Sequence, residues 1–337
     1  MENKDILDNE PQWERSDAPT EELAKVRKLL KKHDQKTILK SVAILTALVL
    51  LITCVIVPVT EMLHWNPDQF HYDENFSDLQ LTLQAYTELF YPGKEVTFVQ
   101  SVKTGYATYD LQVSIEDDSR EVWERINATL ERSDLYFDAG FYEEDPRDVL
   151  PFRQLENYEQ EEYLETLRNL PEYITIRAAV SFPEDVDMAK IFAFWEDYTW
   201  SNAEYPLALD WVAVRNCVPG ENRRECGFSM KHYGPGASSV NDDYPEFNIS
   251  DLNPDGKYLE QHFISLLQYS SDQWEKGRGM DVIPGTNYYD AVLEYVDENG
   301  VMSYGCIVSG SPDALMNLLD QGVVTQIRIL DGWLSVE

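Results

Sequence analysis

Residues 41–60 read SVAILTALVLLITCVIVPVT. The run holds no charged side chain, and its only hydroxyls are those of Ser41, Thr46, Thr53 and Thr60. Twenty residues of α-helix reach about 30 Å, the hydrocarbon thickness of a bilayer. A helix also pairs its own backbone groups, as lipid requires. A core helix of a soluble domain would carry a polar stripe, so the run predicts a transmembrane helix over 41–60. Pro58 stands near one end, where a missing hydrogen bond costs least. A cleaved signal peptide fits poorly. The apolar run exceeds the usual ~7–15 residues of such peptides, and Glu61-Met62-Leu63-His64-Trp65 follows with no small-x-small cleavage site. Trp65 then falls where interfacial aromatics belong.

Working outward, the 337 residues carry 61 acidic and 27 basic side chains, a formal net charge of −34. Residues 1–40 hold nine of each, so the whole excess lies beyond the apolar run. Lys25, Arg27, Lys28, Lys31, Lys32, Lys36 and Lys40 precede the run, whereas Glu61, Asp68, Asp73 and Glu74 follow it. The positive-inside rule therefore predicts a single-pass protein of the cell membrane, with a cytoplasmic N-terminus and an extracytoplasmic body. Lys31, Lys32, Lys36, Lys40 and Trp65 are its expected membrane-flanking residues. An acidic body argues against direct nucleic-acid binding, which needs a basic face.

The head comprises residues 1–40. Residues 1–19 are polar, with Pro11 and Pro19, and read as disordered when alone. Trp13 is either a contact site or a stray exposed aromatic. Thr20-Glu21-Glu22 starts a helix, with a capping hydroxyl and acids in the first turn. Leu23, Val26, Leu30 and His33 follow helical spacing, and Leu29 widens the stripe. Such a basic amphipathic helix over 20–40 can rest on anionic lipid or dock in a partner's groove. Forty residues are too few for a catalytic domain. The head is expected to act by binding; if it docks on a protein partner, Trp13, Leu23, Val26 and Leu30 are the expected apolar anchors.

The body reads as α+β, with an α/β-like alternation of elements, in two subdomains at 61–150 and 158–337, with 138–157 as the boundary. Ser77 caps a helix over 78–90. Residues 95–103 and 106–115 alternate at period two around Thr104-Gly105, which predicts a hairpin, and 119–132 read as helical. Beyond the boundary, helices are expected over 158–170, 185–197, 257–272, 286–298 and from Ser311-Pro312-Asp313 to about 322. Strands are expected over 173–182, 209–215, 301–308 and 323–330.

Chemistry is sparse. His33, His64, His71, His232 and His262 form no His-x-x-x-His or Glu-x-x-His pattern. No nucleophile elbow, P-loop or dinucleotide fingerprint occurs. Acidic pairs such as Asp242-Asp243 read as solvated faces in so acidic a body. No catalytic, metal or cofactor residue is singled out, and no enzyme is expected. Cys217 and Cys226 flank VPGENRRE, a loop that either closes as a disulfide in an oxidising space or leaves two buried thiols.

Several segments together resemble the bacterial sigma factor regulator family, anti-sigma proteins of Gram-positive bacteria. They are the basic helix and span leading to His64-Trp65-Asn66-Pro67, then Val180-Ser181-Phe182-Pro183 and Trp211-Val212-Ala213-Val214-Arg215. Tyr304-Gly305, Val308-Ser309-Gly310-Ser311-Pro312-Asp313-Ala314-Leu315-Met316 and the closing strand complete the set, and the C-terminal likeness runs over about 160–335. The stretch 234–256 and the Cys217/Cys226 pair depart from it. The resemblance implies a membrane-bound regulator whose head holds an extracytoplasmic-function sigma factor and whose body responds to envelope stress, with other membrane regulatory proteins as further partners. The alternative is an anchored extracytoplasmic ligand-binding module without sigma control.

Overall fold

The computed structural model of the chain describes residues 20–73, 75–117, 122–138, 152, 155–199, 206–218, 224–230, 243–247, 255–283 and 285–334. The chain divides into two compact units, Met1–Leu63 and His64–Glu337.

The first unit is helical. Helix α1 spans Thr20–Leu51, a π-helical turn covers Ile52–Ile56, and α2 spans Val57–Glu61. The π turn has a local cause. Pro58 has no N–H, and its ring would strike the carbonyl four residues back. A wider turn relieves that clash, and the Val57 N–H donates to the Ile52 carbonyl. The threonine hydroxyls are absorbed by the helix itself. Thr46 donates to the Val42 carbonyl at 2.9 Å, Thr53 to Val49 at 2.9 Å and Thr60 to Ile56 at 2.8 Å. Among the described residues, Ala24–Glu61 is the one helix long and apolar enough to cross a membrane, and its apolar stretch is not buried inside the protein.

The second unit begins with α3, Asp78–Phe90, started by Ser77, whose hydroxyl accepts from the Gln80 N–H at 3.2 Å. A four-stranded antiparallel sheet follows in the order β1 (Lys94–Gly105), β2 (Thr108–Asp117), β3 (Val122–Glu131) and β4 (Asp134–Phe137). Next come α4 (Asn157–Asn169), β5 (Ile174–Asp187), α5 (Met188–Thr199), β6 (Leu207–Val214), β7 (Cys226–Ser229), α6 (Gly256–Glu275), α7 (Tyr288–Asn299), β8 (Met302–Gly310), α8 (Pro312–Asp320) and β9 (Gln326–Leu334). The second sheet has the order β7-β6-β8-β5-β9 and is antiparallel throughout.

Three expectations change. Residues 122–131 form a strand, not a helix. Val122, Ile126 and Leu130 recur every four residues, which suits both periods, but Ile126, Ala128 and Leu130 are the buried set, with Glu124, Arg125 and Asn127 exposed. The first hairpin turns at Tyr106-Ala107, two residues later than the sequence suggests, with Ala107 left-handed at φ 45°. The strand from Ile174 continues to Asp187, whose carboxylate accepts from the Lys190 N–H at 2.8 Å and so starts α5 three residues late.

Helix α3 is the centre of the second unit, packed against β1, β7 and α6. All its residues are buried, so its polar side chains must find partners inside the protein. Gln80 and Gln84 donate to the Thr97 and Val96 carbonyls of β1 at 3.2 and 3.0 Å. Glu88 accepts from His262 Nε2 at 2.9 Å and from the Ser229 N–H at 3.1 Å. The other ring nitrogen of His262 lies 2.8 Å from the Glu246 carbonyl. This fully enclosed pair ties α3 to α6 and β7. Replacing His262 by Ala takes the imidazole donor from a buried carboxylate and should destabilise the body by about 3 kcal/mol. The loss is read as a lowered urea midpoint, and a smaller loss is expected when Glu88→Gln is added to the same chain.

Candidate functional site: an exposed helical stripe and a charged sheet end

Val26, Leu29 and Leu30 lie on α1 and are 51%, 67% and 56% exposed. At 100° per residue they share one side of the helix, and Arg27, Lys28, Lys31 and Lys32 fall on the other, all exposed. Lys36 and Lys40 are exposed further along the same helix. Among the described residues the stripe is thus an unpartnered apolar face with a basic back. Trp13 lies outside the described residues, as does the side chain of Leu23.

Trp65 does not serve as a free interfacial aromatic. It is 2% exposed and belongs to the core of the second unit, and its backbone N–H donates to Ser133 Oγ at 2.9 Å. Inside the body the indole removes its apolar surface from water, the favourable term for so large an aromatic.

Cys217 and Cys226 are buried thiols and are not joined. The chain between β6 and β7 is held instead by Asn216. Its Nδ2, with two hydrogens to share, lies 2.6 Å from the Arg224 carbonyl, 2.6 Å from Tyr288 Oη and 3.3 Å from Cys226 Sγ. Tyr288 donates in turn to the same Arg224 carbonyl at 2.6 Å. Burial pushes the Cys226 thiol up to about 12 and Tyr288 well above its usual range. Such a thiol is an inert packing group at neutral pH.

A charged cluster surrounds this corner, and sequence reading missed it. Arg215 forms a two-point pair with Asp185 at 3.0 and 2.8 Å and lies 4.3 Å from the centre of the Tyr304 ring. Arg224 covers the ring of Phe90 at 4.4 Å and donates to Tyr86 Oη at 3.1 Å. Phe152 stacks on Trp211 and meets Tyr304 edge-on. Further along the sheet, Arg177 is 7% exposed, with Nε 3.6 Å from Asp210, which also accepts from Ser309 at 2.5 Å. Burial raises the Asp210 carboxyl above its ordinary value against the pull of Ser309 and Arg177. Arg177 and Asp210 sit in strands β5 and β6 among apolar neighbours, and the only sequence signal was a charge interrupting an apolar run. Among the described residues no group of His, Cys, Asp and Glu could hold a metal ion.

A family model described as sigma factor regulator C-terminal matches residues 152–329. The match begins at Phe152, covers α4 to β8 and α8, and ends within β9. No curated protein and no solved structure matches the chain.

Glu225 is the most perturbed carboxyl of the corner. Desolvation lifts it to about 7, against the opposing pull of Arg328 and Arg215. A carboxyl raised in the folded state keeps a proton that the unfolded chain has lost. Its contribution to stability is full below the ordinary carboxylate value and is lost as pH rises through about 7. Glu225→Gln should therefore flatten the decline of stability over that window, leaving the variant more stable than the parent above pH 7 by up to about 3 kcal/mol. Urea midpoints of the detergent-solubilised chain across the window measure it; parallel curves for parent and variant would refute the assignment.

Proposed function

The chain belongs to the sigma factor regulator family, and from that premise we propose that it is a membrane-anchored anti-sigma factor. Membership supports a sigma-factor regulatory role, with a sigma factor as the partner. The finer reading is ours. Residues 1–40 sequester an extracytoplasmic-function sigma factor on the cytoplasmic side, 41–60 cross the cell membrane, and the body responds to envelope stress outside. Within the body we read residues 61–150 and 158–337 as separate subdomains in function, with the second as the regulator-specific part.

The observation that carries this reading is the apolar stripe of Val26, Leu29 and Leu30 on a helix that continues into an exposed apolar stretch. An unpartnered amphipathic helix is a standard ligand for a groove. The basic back of the helix favours the side of the membrane where Lys and Arg are retained. The acidic body suits a role that touches no nucleic acid. A regulatory family argues for binding over catalysis, and among the described residues the cluster around Arg215 and Glu225 holds no nucleophile–base pair.

The test is a two-hybrid screen of residues 1–40 against each of the host's extracytoplasmic-function sigma factors, with a Val26→Ala/Leu29→Ala/Leu30→Ala variant beside it. One sigma factor should bind, and the variant should bind at least about tenfold more weakly, or about 1.4 kcal/mol. Undiminished binding by the variant moves the contact toward Trp13. No binding to any sigma factor favours an anchored ligand-binding module instead.

A further inference from the structure

The second unit starts between two hairpin turns. The His64 ring meets the Tyr106 ring edge-on at 5.8 Å between centres, and the Trp65 N–H donates to Ser133 Oγ at 2.9 Å. Tyr106 tips the β1–β2 hairpin, and Ser133 tips the β3–β4 hairpin. The two tips stand side by side, because the Arg132 N–H donates to the Ala107 carbonyl at 2.8 Å. Both turns are held in left-handed backbone, with φ 45° at Ala107, 50° at Arg132 and 79° at Ser133. Their outward groups are Lys103, Thr104, Gly105, Tyr106 and Arg132, all exposed.

We propose that these paired turns form a surface that rests on the headgroup layer of a phospholipid bilayer, with Tyr106 in the interfacial zone and Lys103 and Arg132 on lipid phosphates. The proposal rests on the membrane-spanning reading of residues 41–60. Helix α2 ends at Glu61, and Trp65 is already fixed in the body. The intervening chain, even fully extended, reaches no more than roughly 14 Å. Where the helix leaves the bilayer, the turns that grip His64 and Trp65 are therefore held near its surface. The chemistry agrees with the position. Tyr and His rings with one apolar body and one polar tip belong at the headgroup level, and long basic side chains reach phosphate from there. Met62 and Leu63, the connecting residues, are 81% and 80% exposed, as suits chain lying in that layer. Asp68 bonds Ser101, and Glu131 and Asp134 flank the second turn, so the surface carries both signs. It answers to the phosphate-bearing layer as a whole more than to anionic lipid alone.

The experiment uses the full chain in vesicles of phosphatidylcholine and phosphatidylglycerol, with an environment-sensitive dye on one cysteine. Cys54, the exposed thiol of the apolar run, is labelled in the parent; Cys217, Cys226 and Cys306 are buried. Two further chains carry Cys54→Ser with either Tyr106→Cys or Glu116→Cys. Glu116 lies at the far end of the same hairpin, roughly 30 Å from its turn. Nitroxide on the lipid headgroup should quench the dye at 106 several-fold more than at 116, and nitroxide on the acyl chain should quench the dye at 54. Adding Lys103→Glu and Arg132→Glu should reduce quenching at 106 and leave it unchanged at 54. Equal quenching at 106 and 116, with 54 quenched, overturns the lipid-resting surface and leaves the span intact. A dye at 54 that acyl-chain nitroxide does not reach overturns the spanning reading and the surface with it.

Discussion

A helix buried on every side controls the architecture of the second unit. An ordinary surface helix can turn its glutamines and glutamates to water, but α3 cannot. Each polar side chain it carries must be met inside the protein or cost the desolvation of an unpaired group. Gln80 and Gln84 meet that demand by taking carbonyls at the edge of β1, which also closes part of an edge that would otherwise invite another strand. Glu88 meets it through His262 and the Ser229 N–H. The indole of Trp211 donates to the Glu88 carbonyl at 2.8 Å, so the second sheet is fixed to the same helix turn. Both sheets are thus referred to one helix, and the partners of α3 set where β1, β7 and α6 can lie.

The second sheet then divides its residues by period two. Ile176, Ala178 and Val180 of β5 face the main core, with Cys306 and Val308 of β8. Ala179, Trp211, Ala213 and Ile307 face the other way and form a small separate cluster with Phe152, Tyr304 and Leu330. A core so thin leaves room for charge, and it is on this side that Arg177 and Asp210 are found, with Arg215 near its margin at Tyr304. Burying them is tolerable only because each arginine has a carboxylate or an aromatic face close by. At both carboxyls, Asp210 and Glu225, desolvation outweighs the arginines nearby.

Much of this was legible beforehand. Caps announce themselves through short-range chemistry, so the starts at Ser77 and Ser311 were readable, and the strands at 174, 207, 302 and 326 followed from apolar runs. The helix expected at 119–132 failed because a four-residue recurrence suits a helix stripe as well as alternate positions of a strand, and only pairing with β2 separates them. The short strands β4 and β7 span four residues each, too few for any period to show. Trp65 misled for a different reason. Its position beside an apolar run is an interfacial signal, but whether a nearby domain offers a pocket is a tertiary fact. The charged corner was invisible because Asp185, Arg215, Glu225 and Arg328 are far apart in sequence and meet only through strand order. The stripe of Val26 and Leu30 was legible, since a helix on which no other described residue packs keeps the face its spacing gives it.

That last point bears on how the head would regulate under the proposed function. The helix from Thr20 to Leu51 has no interruption, so the stripe and the start of the apolar run keep a fixed angular relation. A residue-by-residue rotation of 100° leaves no freedom to turn one without the other. The stripe is narrow, and its three large residues can be covered by one surface at a time. Under the proposed function, lipid and a sigma factor would therefore compete for the same apolar area in any one molecule. On that proposal, a change that tilts or rotates the helix would alter the depth of Val26, Leu29 and Leu30 relative to the headgroups, and with it the area left for a protein partner. Coupling of this kind would need only a differential affinity of the stripe for two surroundings.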